Sequence, residues 1–213
     1  LRDAGLDRDD DRSRTGLVLG NYSFPTERSV DLCVPMVHDW VSEGMRTGGA
    51  PLPPVRGTGP DMPAANLWPS GLPGTLLGRA FGLGGPRLTL YAACASALYA
   101  MALARDYLAT GDADVMLAGA VCAPDPLLIN LSFSDLRAYP SNGVSQPFQQ
   151  DSTGIVTGQG AGVLVLKRLA DAERDGDRIH AVLRSVGLAN DGSGAHVLSP
   201  NVRGQLDAYE AAY

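Results

Sequence analysis

Residues 87–108 constrain this chain more than any other stretch; they read R-L-T-L-Y-A-A-C-A-S-A-L-Y-A-M-A-L-A-R-D-Y-L. Arg87 to Tyr91 alternates polar and apolar residues around a β-branched centre, which predicts a short strand. From Ala95 the pattern changes to Ala, Leu, Met and Tyr without Gly or Pro, the mark of a helix. That helix is apolar on nearly every face until Arg105 and Asp106, so it is expected to be buried. Gly111, just after Thr110, is placed to cap its C-terminal end. Cys94 therefore falls where a strand turns sharply into a buried helix.

The position matters because a thiol attacks as its thiolate, and unpaired N–H groups with the positive end of a helix dipole favour an anion. Ala92, Ala93, Ala95 and Ser96 are small, so an electrophile can approach the sulfur closely. The arrangement has the shape of a nucleophile elbow without its G-x-S-x-G letters. On local pattern alone two readings stand: a nucleophile, or a small buried packing residue.

The chain has 213 residues, enough for one sizeable domain or two small ones. Its 45% hydrophobic and 19% charged residues are ordinary for a soluble globular protein. No apolar run reaches the roughly 20 residues of a bilayer span, and no signal peptide opens the chain. Three widely spaced cysteines without C-x-x-C spacing argue against a disulfide framework and fit a reducing cytoplasm. The three histidines are scattered, which disfavours a metal site. A net charge of −6 with no basic cluster offers no footprint for nucleic acid or anionic lipid. Leu1 is not an initiator Met, and a helical pattern runs out at Tyr213 uncapped, so both ends look cut.

Taken in order, Arg8 to Arg14 reads as a charged, solvated turn. Thr15 to Gly20 is a continuous apolar run, expected of a strand buried on both faces. Glu27 to Arg46 has helical character interrupted by Pro35; it contains Cys33, read as packing, and His38, read as structural. Thr47 to Met62 is a Gly- and Pro-rich loop, and Ser70 is a candidate helix cap. Asp114 to Ala123 predicts another buried strand with Cys122 as core. Leu127 to Tyr139 mixes apolar and small polar residues around Phe133, and residues 140–143 mark a turn. The glycines from Gly154 precede the strand Val163 to Lys167 rather than follow one, which excludes a nucleotide fingerprint. Ala170 to Asp175 predicts a short helix ended by Gly176, and Arg178 to Ala189 a half-exposed strand carrying an outward His180. His196 follows a loop with nothing beside it to orient an imidazole. Strands and helices interleave throughout, so the fold class is α/β and layered.

Three stretches together carry a resemblance. Residues 82–96, G-L-G-G-P-R-L-T-L-Y-A-A-C-A-S, resemble the active-site segment of β-ketoacyl synthases. Residues 111–121, G-D-A-D-V-M-L-A-G-A-V, resemble the strand that follows it in that family. Residues 158–168, G-Q-G-A-G-V-L-V-L-K-R, resemble its later glycine-rich strand. The wording G-N-Y-S-F-P-T from Gly20 and A-Y-P-S-N-G from Ala138 is similar to the iterative synthases of polyunsaturated fatty acids, heterocyst glycolipids or enediynes.

The resemblance implies a thiolase-like layered fold (α-β-α-β-α) in a single ketosynthase domain over residues 1–213, mostly its N-terminal half and incomplete at both ends. It implies that Cys94 accepts an acyl group from a carrier-protein thioester, its own N–H forming half of an oxyanion hole. A pair of histidines then assists decarboxylation of a malonyl thioester, whose carbanion attacks the acyl-cysteine. His38, His180 and His196 do not match those histidine motifs, which are expected beyond Tyr213. Phe133 matches an aromatic residue lining the acyl pocket. No cofactor is expected in the domain itself; phosphopantetheine arrives on the acyl carrier protein as the substrate arm. The expected partners are that carrier protein, neighbouring synthase domains and a second copy paired through the strand Arg87 to Tyr91, with no nucleic acid and no membrane insertion.

The chain also departs from the family pattern. Tyr91 and Gln149 replace Asp, Gln159 replaces the Glu of G-E-G-A-G, and Ala97 stands where Ser is commoner. The neutralised positions keep open a non-condensing partner subunit that influences chain length. Such subunits usually lose the nucleophile, whereas Cys94 is kept. A thiolase would share the fold and the cysteine but not the wording of residues 158–168.

Overall fold

The computed structural model describes residues 4–6, 11–21, 71–123, 126–192 and 199–213. Within them the elements run β1 (Thr15–Asn21), α1 (Leu72–Ala80), β2 (Arg87–Leu90), a 3₁₀ turn (Ala93–Ala95), α2 (Ser96–Thr110), β3 (Val115–Cys122), α3 (Pro126–Asp135), β4 (Gly160–Lys167), α4 (Leu169–Asp175) and α5 (Val202–Ala212). The chain divides into two units. One comprises Leu1–Gly20, Gly74–Ala120 and Gly162–Tyr213; the other comprises Asn21–Pro73 and Val121–Ala161.

The first unit is built on a four-stranded sheet of order β2-β1-β3-β4. β1 and β2 are parallel, with Val18 opposite Leu88 and Gly20 opposite Leu90. A central parallel strand has both faces covered, and β1 shows it: Leu17, Val18 and Leu19 are at most 2% exposed. Helix α2 packs Ala100, Ala104 and Leu108 against Val18 of β1 and Met116 and Ala118 of β3. The alanines bring the helix backbone close to the sheet, and burying Met116 or Val18 contributes about 1.5–3 kcal/mol each. The burial predicted for α2 is incomplete: Ala102, off this face, is also buried, but Leu98 is 51% exposed. The helix ends at Gly111, whose φ of 79° takes the left-handed conformation expected of its cap.

Several expectations are corrected. The charged turn before β1 is not simply solvated. Arg12 is buried and donates to the Phe81 carbonyl at 2.9 Å, while Arg14 donates to Asp114 at 2.6 Å. A guanidinium can reach across to a neighbouring segment, and local charge density does not reveal which partner it finds. Residues 178–189 form no strand despite their alternation: a ladder needs a partner backbone, and none pairs with them among the described residues. β4 begins at Gly160, three residues before its apolar run. Residues 126–135, whose mixed pattern assigns no element, form α3; Pro126 at the first helical position was the available signal. Cys122 is half-buried rather than core, its thiol 3.9 Å from the Gly158 carbonyl. The turn at residues 140–143 closes as expected, Gly143 donating to Pro140. Cys33, His38, Ser70 and His196 lie outside the described residues. Among the described residues no helix is long and apolar enough to cross a membrane.

Candidate active site

β2 ends at Leu90, and the chain reverses through Tyr91, Ala92 and the 3₁₀ turn before α2 begins at Ser96. Two backbone hydrogen bonds close the turn, Ala95 donating to Ala92 at 3.0 Å and Ser96 donating to Ala93. Neither uses the N–H of Cys94. Cys94 sits in the middle of the turn with its side chain exposed.

Ala93, immediately before it, has a φ of 47°. That left-handed conformation is uncommon for a residue with a β-carbon and costs of order 1 kcal/mol or more. Surrounding structure must hold it there. The Ser96 hydroxyl accepts the Ala92 N–H at 2.9 Å and donates to the Ala93 carbonyl at 2.6 Å. Ser96 is itself 6% exposed. The left-handed residue and the hydroxyl that brackets it escaped the sequence reading, since a positive φ is ordinarily signalled by Gly or Asn. A serine two positions after the cysteine was the available signal.

Ala95 at the N-cap of α2 makes no side-chain capping bond. The leading N–H groups and the positive dipole end of α2 therefore lie beside Cys94 without a side-chain cap. A turn of this kind can present a nucleophilic sulfur and stabilise an oxyanion formed on an acyl group attached to it.

Phe133 belongs to the second unit and Cys94 to the first. Phe133 is half-buried on α3, its ring centroid 6.2 Å from that of Tyr139 at an interplanar angle of 51°. The Tyr139 hydroxyl donates to Asn130 at 2.5 Å and lies 2.9 Å from the Thr157 hydroxyl. Tyr91 is 56% exposed. Gln149 accepts a side-chain hydrogen bond from Gln146 at 2.7 Å, and Gln159 is exposed. His180 is exposed, on residues outside any helix or strand. No group of three His, Cys, Asp or Glu side chains suited to a metal occurs among the described residues.

The family model described as "Beta-ketoacyl synthase, N-terminal domain" matches residues 1–172. A polyunsaturated fatty acid synthase polypeptide of a Thraustochytrium species is 45% identical over 125 residues, which is 57% of this chain and 6% of that protein. A PKS-NRPS hybrid synthetase of Aspergillus niger is 42% identical over 144 residues, 66% of this chain and 8% of that protein. The chain thus spans a small fraction of the length of these curated relatives. Among solved structures, the PfaC ketosynthase–chain length factor superposes with a TM-score of 0.77 at 46% identity, covering 94% of this chain and 22% of that one. The ketosynthase from module 6 of the bacillaene synthase of Bacillus subtilis gives 0.72 at 25% identity, covering 96% and 31%. The fold is accordingly the thiolase-like α/β fold of ketosynthases. With the cysteine-bearing turn in the matched segment, the chain belongs to the β-ketoacyl synthase family.

Proposed function

We propose that this chain supplies the acyl-accepting part of a condensing enzyme that elongates a polyketide or fatty acid chain. The Cys94 sulfur attacks the carbonyl of an acyl thioester carried on phosphopantetheine, and the carrier thiol leaves as the new thioester forms. A malonyl thioester then loses carbon dioxide, and its carbanion attacks the acyl-Cys94 carbonyl, releasing the cysteine and a β-ketoacyl product. The Cys94 N–H, left out of the turn's backbone bonds, supports this reading as an oxyanion donor. Phe133 lines the acyl chain's path. The partners are an acyl carrier protein, neighbouring synthase domains and a second copy of the chain, in the cytoplasm, and the domain holds no cofactor of its own.

The observation that carries the proposal is the exposed Cys94 next to the left-handed Ala93 at the head of α2, within a segment matched by the family model. The test is mass spectrometry of the full-length polypeptide after brief incubation with an acyl-carrier thioester. Acyl mass is expected on Cys94 and not on Cys33 or Cys122, and Cys94→Ala should abolish it. Modification of Cys33 or Cys122 with Cys94 untouched overturns the proposal.

A second reading is a non-condensing partner that influences chain length. It is favoured by the neutral residues Tyr91, Gln149 and Gln159 and by a structural relative whose name joins a ketosynthase to a chain length factor. Under it, Cys94 stays unacylated while removal of the chain changes product length.

A further inference from the structure

We propose that Ser96 is a positioning residue for Cys94, acting through the backbone of Ala92 and Ala93; the inference rests on the reading of Cys94 as the acyl acceptor. Ser96 occupies the first position of α2, two residues beyond the cysteine, and is 6% exposed. Its hydroxyl has both roles filled, accepting from the Ala92 N–H at 2.9 Å and donating to the Ala93 carbonyl at 2.6 Å. These two groups flank the φ and ψ rotations on which the left-handed Ala93 depends.

Ala93 sits at φ 47°, a conformation that an alanine leaves readily for the right-handed or extended basins. Rotation there would swing the following peptide, which carries the Cys94 N–H, and would redirect the sulfur. The serine opposes that rotation by tying together the two ends of the Ala92–Ala93 pair, the Ala92 N–H and the Ala93 carbonyl. It is also anchored from behind: a β-carbon built on Gly20 of β1 would come within 2.7 Å of the Ser96 β-carbon. The central strand therefore backs the serine, and the serine braces the turn. Without the hydroxyl, the Ala92 N–H loses its acceptor and the Ala93 carbonyl its side-chain donor, and the turn samples conformations in which Cys94 is misdirected.

The mechanism predicts a specific suppressor. Glycine adopts positive φ about as readily as negative φ, so Ala93→Gly removes the conformational cost that the serine offsets. Four forms of the full-length polypeptide are compared: wild type, Ser96→Ala, Ala93→Gly and the double variant. Iodoacetamide alkylation of Cys94 is timed by peptide mass spectrometry, alongside acyl transfer from an acyl-N-acetylcysteamine thioester. Thermal melting of each form corrects both rates for any loss of folded protein.

Ser96→Ala is expected to slow both reactions at Cys94 about tenfold, the effect of losing a paired hydrogen bond. The double variant is expected to recover most of that loss. Wild-type rates in Ser96→Ala overturn the proposal, as does a loss that Ala93→Gly leaves uncorrected, which marks Ser96 as structural only. Because alkylation requires no carrier or substrate, it reports on Ser96 even if acyl transfer is absent from the wild type. That last outcome refutes the proposed acyl acceptance while leaving the brace itself tested.

Discussion

Gly20 at the end of β1 and Ser96 at the head of α2 meet with no room for a side chain between them. A β-carbon on Gly20 would lie 2.7 Å from that of Ser96 and 3.1 Å from that of Ala120. Gly20→Ala therefore forces either the strand or the cysteine turn to shift, at about 1–3 kcal/mol for overpacking a close contact. Thermal melting should show the destabilisation, and Cys94 should alkylate more slowly in the protein that remains folded. Wild-type alkylation at reduced stability would mean that the strand yields and the turn does not.

Asp114 ties the start of β3 to two other segments. It accepts from Arg14 at 2.6 Å and from Arg168 at 2.5 Å, and Arg168 also donates to the carbonyls of Leu108 and Ala113 at 2.9 and 2.8 Å. The hydrogen bond from Arg14, then that from Arg168, lowers the Asp114 carboxyl from 3.8 to about 2. A carboxylate depressed by folding contributes stability that is present in full above its unfolded value and is lost as pH falls through its folded value. The arginines stay charged throughout, so the contribution fades between about pH 4 and 2. The Asp114 side chain is 45% exposed, so solvent screening holds the effect of Asp114→Asn to about 0.5–1 kcal/mol at neutral pH. Melting at pH 7 should separate wild type from variant by about 2–4 °C or less, and the curves should converge near pH 2. A gap that persists in acid would assign the cost to something other than charge.

Phe133 is only half-buried and tilts against Tyr139. Removing a half-buried ring should cost about 1–2 kcal/mol, below the range for a fully buried one. Phe133→Ala in the full-length polypeptide should shift the preferred acyl length in single-turnover assays with thioesters of graded length. An unchanged length profile with a stability loss of several kcal/mol, on the order of a fully buried phenylalanine, would reduce Phe133 to packing.

β2 is one of the two outer strands of the sheet among the described residues, and Leu88 on it and Tyr91 just after it are 39% and 56% exposed. An outer strand that exposes apolar side chains suits isologous pairing with a second copy. Light scattering at micromolar concentration should give a dimer mass, and Leu88→Glu should lower it toward the monomer. A monomeric wild type would remove this pairing from the proposal.

The cysteine turn was legible because two periodicities meet there. Alternation stops at Tyr91 and the helical pattern starts at Ala95, so Cys94 falls at the junction whatever surrounds it. β1 was legible for a similar reason: an unbroken apolar run has no solvent face to offer, and Leu17 to Leu19 are buried accordingly. Gly111 and Gly176 end their helices in the left-handed conformation their positions implied, with φ of 79° and 72°. In residues 178–189 the same logic failed, because alternation specifies a strand's faces and not its partner.

By itself, then, the sequence determined the α/β class, the position of the strand-to-helix turn and the residue it presents, all of which depend on neighbours along the chain. Only the tertiary structure decided how that turn is held. The left-handed Ala93, the buried hydroxyl of Ser96 and the close approach of Gly20 join segments about 75 residues apart in the chain. Likewise, Arg14 and Arg168 converge on Asp114 from the first and the last of the three segments that make up the first unit. Such contacts combine long-range geometry with hydrogen bonds that any serine, arginine or aspartate could make elsewhere, and local pattern carries no record of which partner each will meet.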